Sequence, residues 1–309
     1  MPVAPHPPLR LSEPVTVEPA STPVEHVRAS LDERLRALLA HEPGTRTGED
    51  IEDLHQMRVA VRRMRATLKA ARPLLDADWA DDLRAELGWL GGALGPVRDL
   101  DVMLLRLRRE IGSLPAQEEA AGQVLLESLE LERTAARAAM LDALTAPRFF
   151  ALLERVAATV GAPLPTPSRP GDQPALVDLV RVEARKLRRA VERAGDDPPD
   201  EVLHALRIRG KRVRYTGELV APSLSATPSG KALKRLLSAT AAMQEVLGDH
   251  QDACVAEQRI RDLLADLDAT PTTVFVAARL VEREIHRAAE KRGEWWAAWV
   301  LVDARIEQV

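Results

Sequence analysis

An all-α fold, arranged as two four-helix bundles of long antiparallel helices, is what this sequence predicts, and three observations predict it. Aromatic residues make up only 3% of the 309 residues, while Ala, Leu, Arg and Glu dominate, a composition that favours helix over strand. Apolar residues recur at helical spacing through nearly every segment, and none alternates with the period of two that a half-buried strand needs. The two halves of the chain also repeat one another, which points to an internal duplication, each copy a bundle of about four helices.

Residues 1–23 carry Pro2, Pro5, Pro7, Pro8, Pro14, Pro19 and Pro23. Proline removes backbone donors and biases its predecessor toward extended conformation, so this stretch reads as a disordered arm. "HVRASLDERLRALLAH" (26–41) then sets Val27, Leu31, Leu35 and Leu38 on one helical face. The next helix, "DLHQMRVAVRRMRATLKAARPLL" (53–75), is strongly basic, and Asp50 stands ahead of it where a carboxylate can cap free N–H groups. Long helices follow at roughly 79–112 and 116–146. "GAPLPTPSRPGDQP" (161–174), with five prolines and two glycines, reads as a linker between a first half, 24–160, and a second half, 175–309.

The second half opens on an amphipathic helix (175–195) with Leu176, Leu179, Val180, Leu187 and Val191 on one face. A second basic helix, "VLHALRIRGKRVRYTGEL" (202–219), follows, with Asp200 in the capping position. Helices at 229–267 and 272–305 complete the chain, the last carrying Trp295, Trp296 and Trp299, whose default role is core anchoring.

The repetition is specific. Shifted by 149 positions, Leu54, His55, Met57, Arg58, Arg62, Arg63, Arg65 and Pro73 fall on Leu203, His204, Leu206, Arg207, Lys211, Arg212, Arg214 and Pro222. A shift of 153 matches "LGPVRDLDV" (94–102) to "LGDHQDACV" (247–255) at Leu, Gly, Asp and Val. Asp99 and Asp252 thereby correspond, in positions suited to ordering arginines or capping a break after Gly95 and Gly248.

The basic helices raise the functional question, because the chain as a whole has a formal charge of −4. At about 100° per residue, His55, Arg58, Arg62, Arg65 and Lys69 share a strip only about 80° wide. His204, Arg207, Lys211 and Arg214 repeat it, with Glu218 in place of the last cation. Like charges three and four apart repel, and no carboxylate within the first helix relieves them. One reading is a row of surface arginines paired by acids from other helices. The other is an external polyanion, since a guanidinium fork suits phosphate oxygens and one-turn spacing suits a ligand with repeated charge. Nucleic acid is the weaker candidate: base readout or stacking calls for aromatics or amides among the cations, and only Tyr215 lies nearby. Arg181, Arg185 and Arg188 on the preceding helix, and Lys231, Lys234 and Arg235 on the following one, are possible extensions of the basic face.

Other chemistries find little support. The sole cysteine, Cys254, excludes an intrachain disulfide and a cysteine-built zinc site and fits a reducing compartment. No catalytic residue, metal site or cofactor is expected: serine-nucleophile motifs, glycine-rich phosphate loops and HExxH are absent. "GDHQD" (248–252) has the look of a ligand cluster, but the first copy reads "GPVRD" there. His55 and His204 are expected to bond backbone carbonyls. No run of 18 apolar residues could span a membrane, and the N-terminus lacks the basic start and apolar core of a signal peptide, so a cytoplasmic location is expected.

His55-x-x-Arg58-x-x-x-Arg62-Arg63-x-Arg65, echoed by His204-x-x-Arg207-x-x-x-Lys211-Arg212-x-Arg214-Tyr215, resembles the CHAD family, the conserved-histidine α-helical domain. "LGPVRDLDV" is similar to that family's mid-domain motif, and the resemblance covers roughly 24–305. It implies two four-helix bundles related by a pseudo-two-fold, with basic helices facing a shared cleft or pore. It also implies binding of inorganic polyphosphate through the motif cations and, for some members, residence on polyphosphate or storage granules alongside granule proteins. The triphosphate-tunnel domain that many relatives carry, with its Glu-x-Glu-x-Lys strand, has no counterpart here, so a non-enzymatic binding module is expected. A metal-dependent polyphosphate phosphohydrolase using Asp99 or Asp252, and a helical nucleic-acid-binding or scaffold protein, are the alternatives.

Overall fold

In a computed structural model, which describes Leu9 and residues 11–167, 174–225 and 227–309, the chain is all-helical, with no strand among the described residues. The α-helices are α1 (Pro23–Thr47), α2 (Ile51–Ala70), α3 (Ala77–Ile111), α4 (Ala116–Thr145), α5 (Pro147–Gly161), α6 (Leu176–Ala194), α7 (Asp200–Val220), α8 (Pro228–Asp266) and α9 (Pro271–Ile306). Short 3-10 turns, Arg72–Leu74 and Ala221–Leu224, follow α2 and α7, each built around a proline that cannot continue the helix.

α5 is an element the sequence reading did not separate. Pro147 at its first position starts a new helix directly after α4, and Phe149, Leu152, Leu153 and Val156 drive it into the core. The break anticipated after Gly95 and Gly248 does not exist: α3 and α8 run straight through it, α3 even accommodating Pro96. Asp50 caps α2 as expected, accepting from Glu52 N at 2.8 Å. Asp200 does not cap α7; Pro199 holds that position, and the Asp200 carboxylate is committed to Arg292.

Part of the proline-rich arm is seated rather than free. Asp32, 2% exposed, accepts from Val15 N and from Arg36 Nε, and Arg36 reaches Ser12 O at 2.6 Å. Thr22 and Glu25 close the arm with a reciprocal capping box at the start of α1. Residues 1–8 and 10 of that arm, and 168–173 of the expected linker, lie outside the described residues. Ahead of that gap, Leu164 is buried and Pro165 O accepts from Asp76 N at 2.9 Å.

The apolar interior is shared by the two halves. One cluster joins α1, α2, α3, α5, α6, α7 and the near end of α8, with Trp295, Trp299 and Val302 from α9. A second cluster is built from the far ends of the four long helices: Leu104 and Leu107 of α3, Leu125 and Leu129 of α4, Ile260 and Leu263 of α8, and Val276 and Leu280 of α9. Between Val97 and Met103 on α3, and between Leu247 and Ala256 on α8, the chain passes from one cluster to the other. That passage is where both "LG…D" motifs sit.

Candidate anion-binding cavity

The two basic helices meet across this passage. Arg62 of α2 lies over the Tyr215 ring of α7 at 5.9 Å, Arg214 covers the same ring at 5.3 Å, and Arg63 of α2 reaches Glu218 of α7 at 3.6 Å. Beside this contact is a cavity of about 480 Å³ lined by His55, Arg58, Arg62, Arg98, Arg106, His204, Arg207 and Lys211, with Asp99 and Asp252 its only carboxylates among the described residues. Val59, Val102, Met103, Val255 and Ala256 supply its apolar surface.

Glycine makes the close approach possible. A Cβ on Gly95 would lie 2.5 Å from Arg58 Nη1, and one on Gly248 would lie 3.5 Å from Arg207 Nη2. One turn further along each helix stands an acid: Arg58 Nη2 meets Asp99 Oδ1 at 3.1 Å, and Arg207 Nη2 approaches Asp252 Oδ1 at 3.9 Å. The two halves thus hold their corresponding arginines in the same way, over a glycine and toward an exposed aspartate.

Arg106 pairs with Glu284 of α9, but three other lining cations are left without acids. Arg62, Arg98 and Lys211 make no ion pair among the described residues, and the buried Nε atoms of Arg62 and Arg207 have no hydrogen-bond partner. Burial first, then the fields of Arg207 and Arg62, push the Lys211 ammonium down to about 8. Burial also lowers the His55 pKa, with Arg98 adding to the effect. His204 is held instead by Gln251, Nδ1 to Oε1 at 2.7 Å. Neither histidine is fully buried, and His204 bonds a side chain where a backbone carbonyl was expected.

Six of the motif positions therefore converge on one cavity: His55, Arg58, Arg62, His204, Arg207 and Lys211. Arg62, Arg207 and Lys211 also line an adjoining opening of about 590 Å³ with Arg214, Ser238 and Glu245. Arg65 leaves this group and lies along α3 beside Gly88 and Gly91. Lys69 sits apart in the field of Arg212 and Arg84, its pKa lowered chiefly by burial. Arg63 and Arg214 are both within reach of Glu218, the acid that replaced the last cation.

The suggested extensions lie elsewhere. Arg188 pairs with Asp303 of α9 at 2.6 Å, and Arg181 binds Asp178 and Val309 O. Arg185, Lys231, Lys234 and Arg235 are exposed and line none of these openings. Sequence reasoning missed Arg98, Arg106 and Gln251. Arg98 is three residues after Gly95, hence one turn along the same face, and Gln251 is its counterpart at the 153-residue shift. Arg106 was hidden because its position depends on Glu284 of α9, which it pairs with.

An all-α protein whose two basic helices and two "LG…D" helices enclose a cationic cavity defines a structural class, and comparison with known proteins places it. The CHAD domain family matches residues 29–261, and the chain belongs to that family. Its structure resembles the CHAD domain from the plant Ricinus communis, with a TM-score of 0.72 and 26% identity, covering 99% of this chain and 98% of that one. It also resembles PptA from Streptomyces chartreusis, with a TM-score of 0.69 and 26% identity over 89% of this chain and 96% of that one. Two uncharacterized proteins of Mycobacterium tuberculosis, MT2285 and Rv2226 from two strains, are each 28% identical over 296 residues. That match takes in 93% of this chain but 55% of each relative, so the chain spans about half the length of the curated relatives it matches. No helix among the described residues is long and apolar enough to cross a membrane.

Proposed function

We propose that this chain binds inorganic polyphosphate in the cavity between α2, α3, α7 and α8, without chemistry of its own, and serves as a targeting or scaffold module for polyphosphate or storage granules. The observation that carries the reading is the set of unpaired cations Arg62, Arg98 and Lys211, gathered from both halves into one cavity. Elsewhere the same protein pairs its half-buried arginines with care: Arg133 with Asp101, Arg188 with Asp303. Like charges left together at a cost to the folded state are repaid by a ligand that brings the missing negative charge.

The shape supports a linear ligand. The central cavity shares Arg62, Arg207 and Lys211 with one opening, and Val102 and Arg106 with a further one of about 560 Å³, where Arg109, Arg287 and Lys291 stand beside Glu110, Asp249 and Glu290. A flexible chain of phosphates can follow three adjoining openings without presenting bases to stack. The single aromatic ring nearby, Tyr215, is already covered by Arg62 and Arg214, so a nucleic acid finds no free platform there.

The test is a calorimetric titration of the purified protein with polyphosphate at two salt concentrations, beside RNA of equal charge. Tight, salt-sensitive binding that prefers polyphosphate, lost in the Arg58→Glu/Arg207→Glu variant with helicity intact, is the expected result. Equal affinity for RNA, or a double variant that binds normally, overturns it. Phosphate release with Mg²⁺ that disappears in Asp99→Ala would establish the phosphohydrolase instead.

A further inference from the structure

The motif "GDHQD" contains a residue that the cavity does not use. His250 does not line it, is 2% exposed, and among the described residues its ring nitrogens have Asp200 and Cys254 as their hydrogen-bond and ion-pair partners. Asp200 opens α7, while His250 and Cys254 stand one turn apart on α8, so the helix crossing brings three different donor types to one point. We propose that Asp200, His250 and Cys254 form a site for a divalent cation of the zinc class, bound through one carboxylate oxygen, one imidazole nitrogen and one thiolate.

The distances fit. His250 Nε2 lies 3.3 Å from Asp200 Oδ1 and 3.8 Å from Cys254 Sγ, and Cys254 Sγ lies 3.7 Å from Asp200 Oδ2. Usual zinc bond lengths to nitrogen, oxygen and sulfur give tetrahedral edges of about 3.4–3.6 Å. The two Asp200 contacts go to different oxygens, so the carboxylate turns to bring a single oxygen to both partners; each residue already offers one ligand atom within 4.8 Å of the other two, and the donor set of nitrogen, oxygen and sulfur suits zinc or cobalt better than magnesium or calcium. Asp200 divides its oxygens: Arg292 Nη1 holds Oδ1 at 2.5 Å, which leaves Oδ2 turned toward the sulfur. That second contact orients the carboxylate as outer-shell partners of metal ligands do. Asp200 is half exposed, so a fourth position opens to water.

A cysteine ligates a metal as its thiolate, so the Cys254 thiol gives up its proton on binding. Binding exchanges that proton for the ion: the S–H bond breaks, the sulfur–metal bond forms, and the proton leaves to solvent. The ion would cross-link the start of α7 to α8 beside His204 and Gln251, but the site stands on its own residues and does not depend on the polyphosphate reading.

The experiment is a Co²⁺ titration of the chelator-stripped full chain, followed by absorbance. One equivalent of cobalt giving a thiolate-to-cobalt charge-transfer band in the near ultraviolet, displaced by Zn²⁺, is the expected result. Cys254→Ser abolishes the band and His250→Gln weakens binding at least tenfold, while Arg58→Glu/Arg207→Glu leaves both unchanged. Helicity measured for each variant separates loss of ligand from loss of fold, and Zn²⁺ raises the melting temperature of the wild type but not of Cys254→Ser. Absence of the band with cobalt in excess, or a band that survives in Cys254→Ser, overturns the site.

Discussion

Arg58 crosses α3 directly over Gly95 and meets Asp99 one turn further on, Nη2 to Oδ1 at 3.1 Å. The glycine is a spacer for the guanidinium, because a methyl group there would lie 2.5 Å from Nη1. The atom in the way is the far end of a flexible side chain, which can swing aside cheaply. Gly95→Ala is therefore expected to leave thermal stability near or slightly above wild type, since alanine gains up to about 1 kcal/mol in a helix interior. Polyphosphate affinity falls because Arg58 no longer lies where it did. Gly92→Ala, whose Cβ meets nothing within 4 Å, is the control and leaves affinity unchanged. Equal affinities for the two variants would mean that Arg58 makes no contact with the ligand.

Lys211 gives the pH dependence its sign. Its folded pKa of about 8 lies below that of an ordinary lysine, so between pH 8 and about 10 the unfolded chain binds more protons than the folded one. Stability of the ligand-free protein thus rises with pH through this window. A bound polyanion reverses the balance by stabilising the ammonium, so binding near pH 8.5 takes up protons and affinity falls as pH rises from about 8. Titrations in two buffers of different ionisation heat measure the uptake directly. Lys211→Met removes most of it, and a heat that is independent of buffer in the wild type would contradict the assignment.

Much of this was legible in the sequence because it depends on spacing within single helices. Periodicity located the helices, and the 149-residue correspondence located His55, Arg58 and Arg62 together with His204, Arg207 and Lys211. What a helical wheel does not contain is the crossing of one helix over another. Arg65 and Lys69 share the stripe angle of Arg58 yet sit further along α2, beyond the point where α3 and α7 enclose it. Arg106 and its partner Glu284 are 178 residues apart, a relation that only tertiary packing creates.

That pair defines a further test of the architecture. Glu284 is 1% exposed and receives both Arg106 and Arg287, while Glu110 receives Arg283 and Arg287, so α3 and α9 are joined through one buried carboxylate and its neighbours. Removing one partner of a buried pair leaves uncompensated charge, at a cost of about 3–5 kcal/mol. Glu284→Ala leaves Arg106 partly exposed and Arg287 still paired with Glu110, so a smaller loss of about 1–3 kcal/mol is expected in urea unfolding, with the midpoint lowered and the slope retained. Glu294→Ala, which removes only the half-exposed partner of Lys291, shifts the midpoint little.

Salt dependence can separate the cations that touch the ligand from those that merely share the stripe. Each phosphate neutralised releases counterions, so the slope of log affinity against log salt changes by about 0.7 per contact on a flexible single chain. Arg62→Ala and Arg98→Ala remove unpaired cations from the cavity wall, and each is expected to flatten the slope by roughly that amount. Arg65→Ala and Lys69→Ala change charge equally but lie outside the cavity, and their slopes stay at the wild-type value. Arg188→Ala, which breaks a pair with Asp303, behaves like the second group. A slope that falls equally for all five variants would mean that the ligand responds to the charge of the whole face, and that the cavity holds no privileged set of contacts.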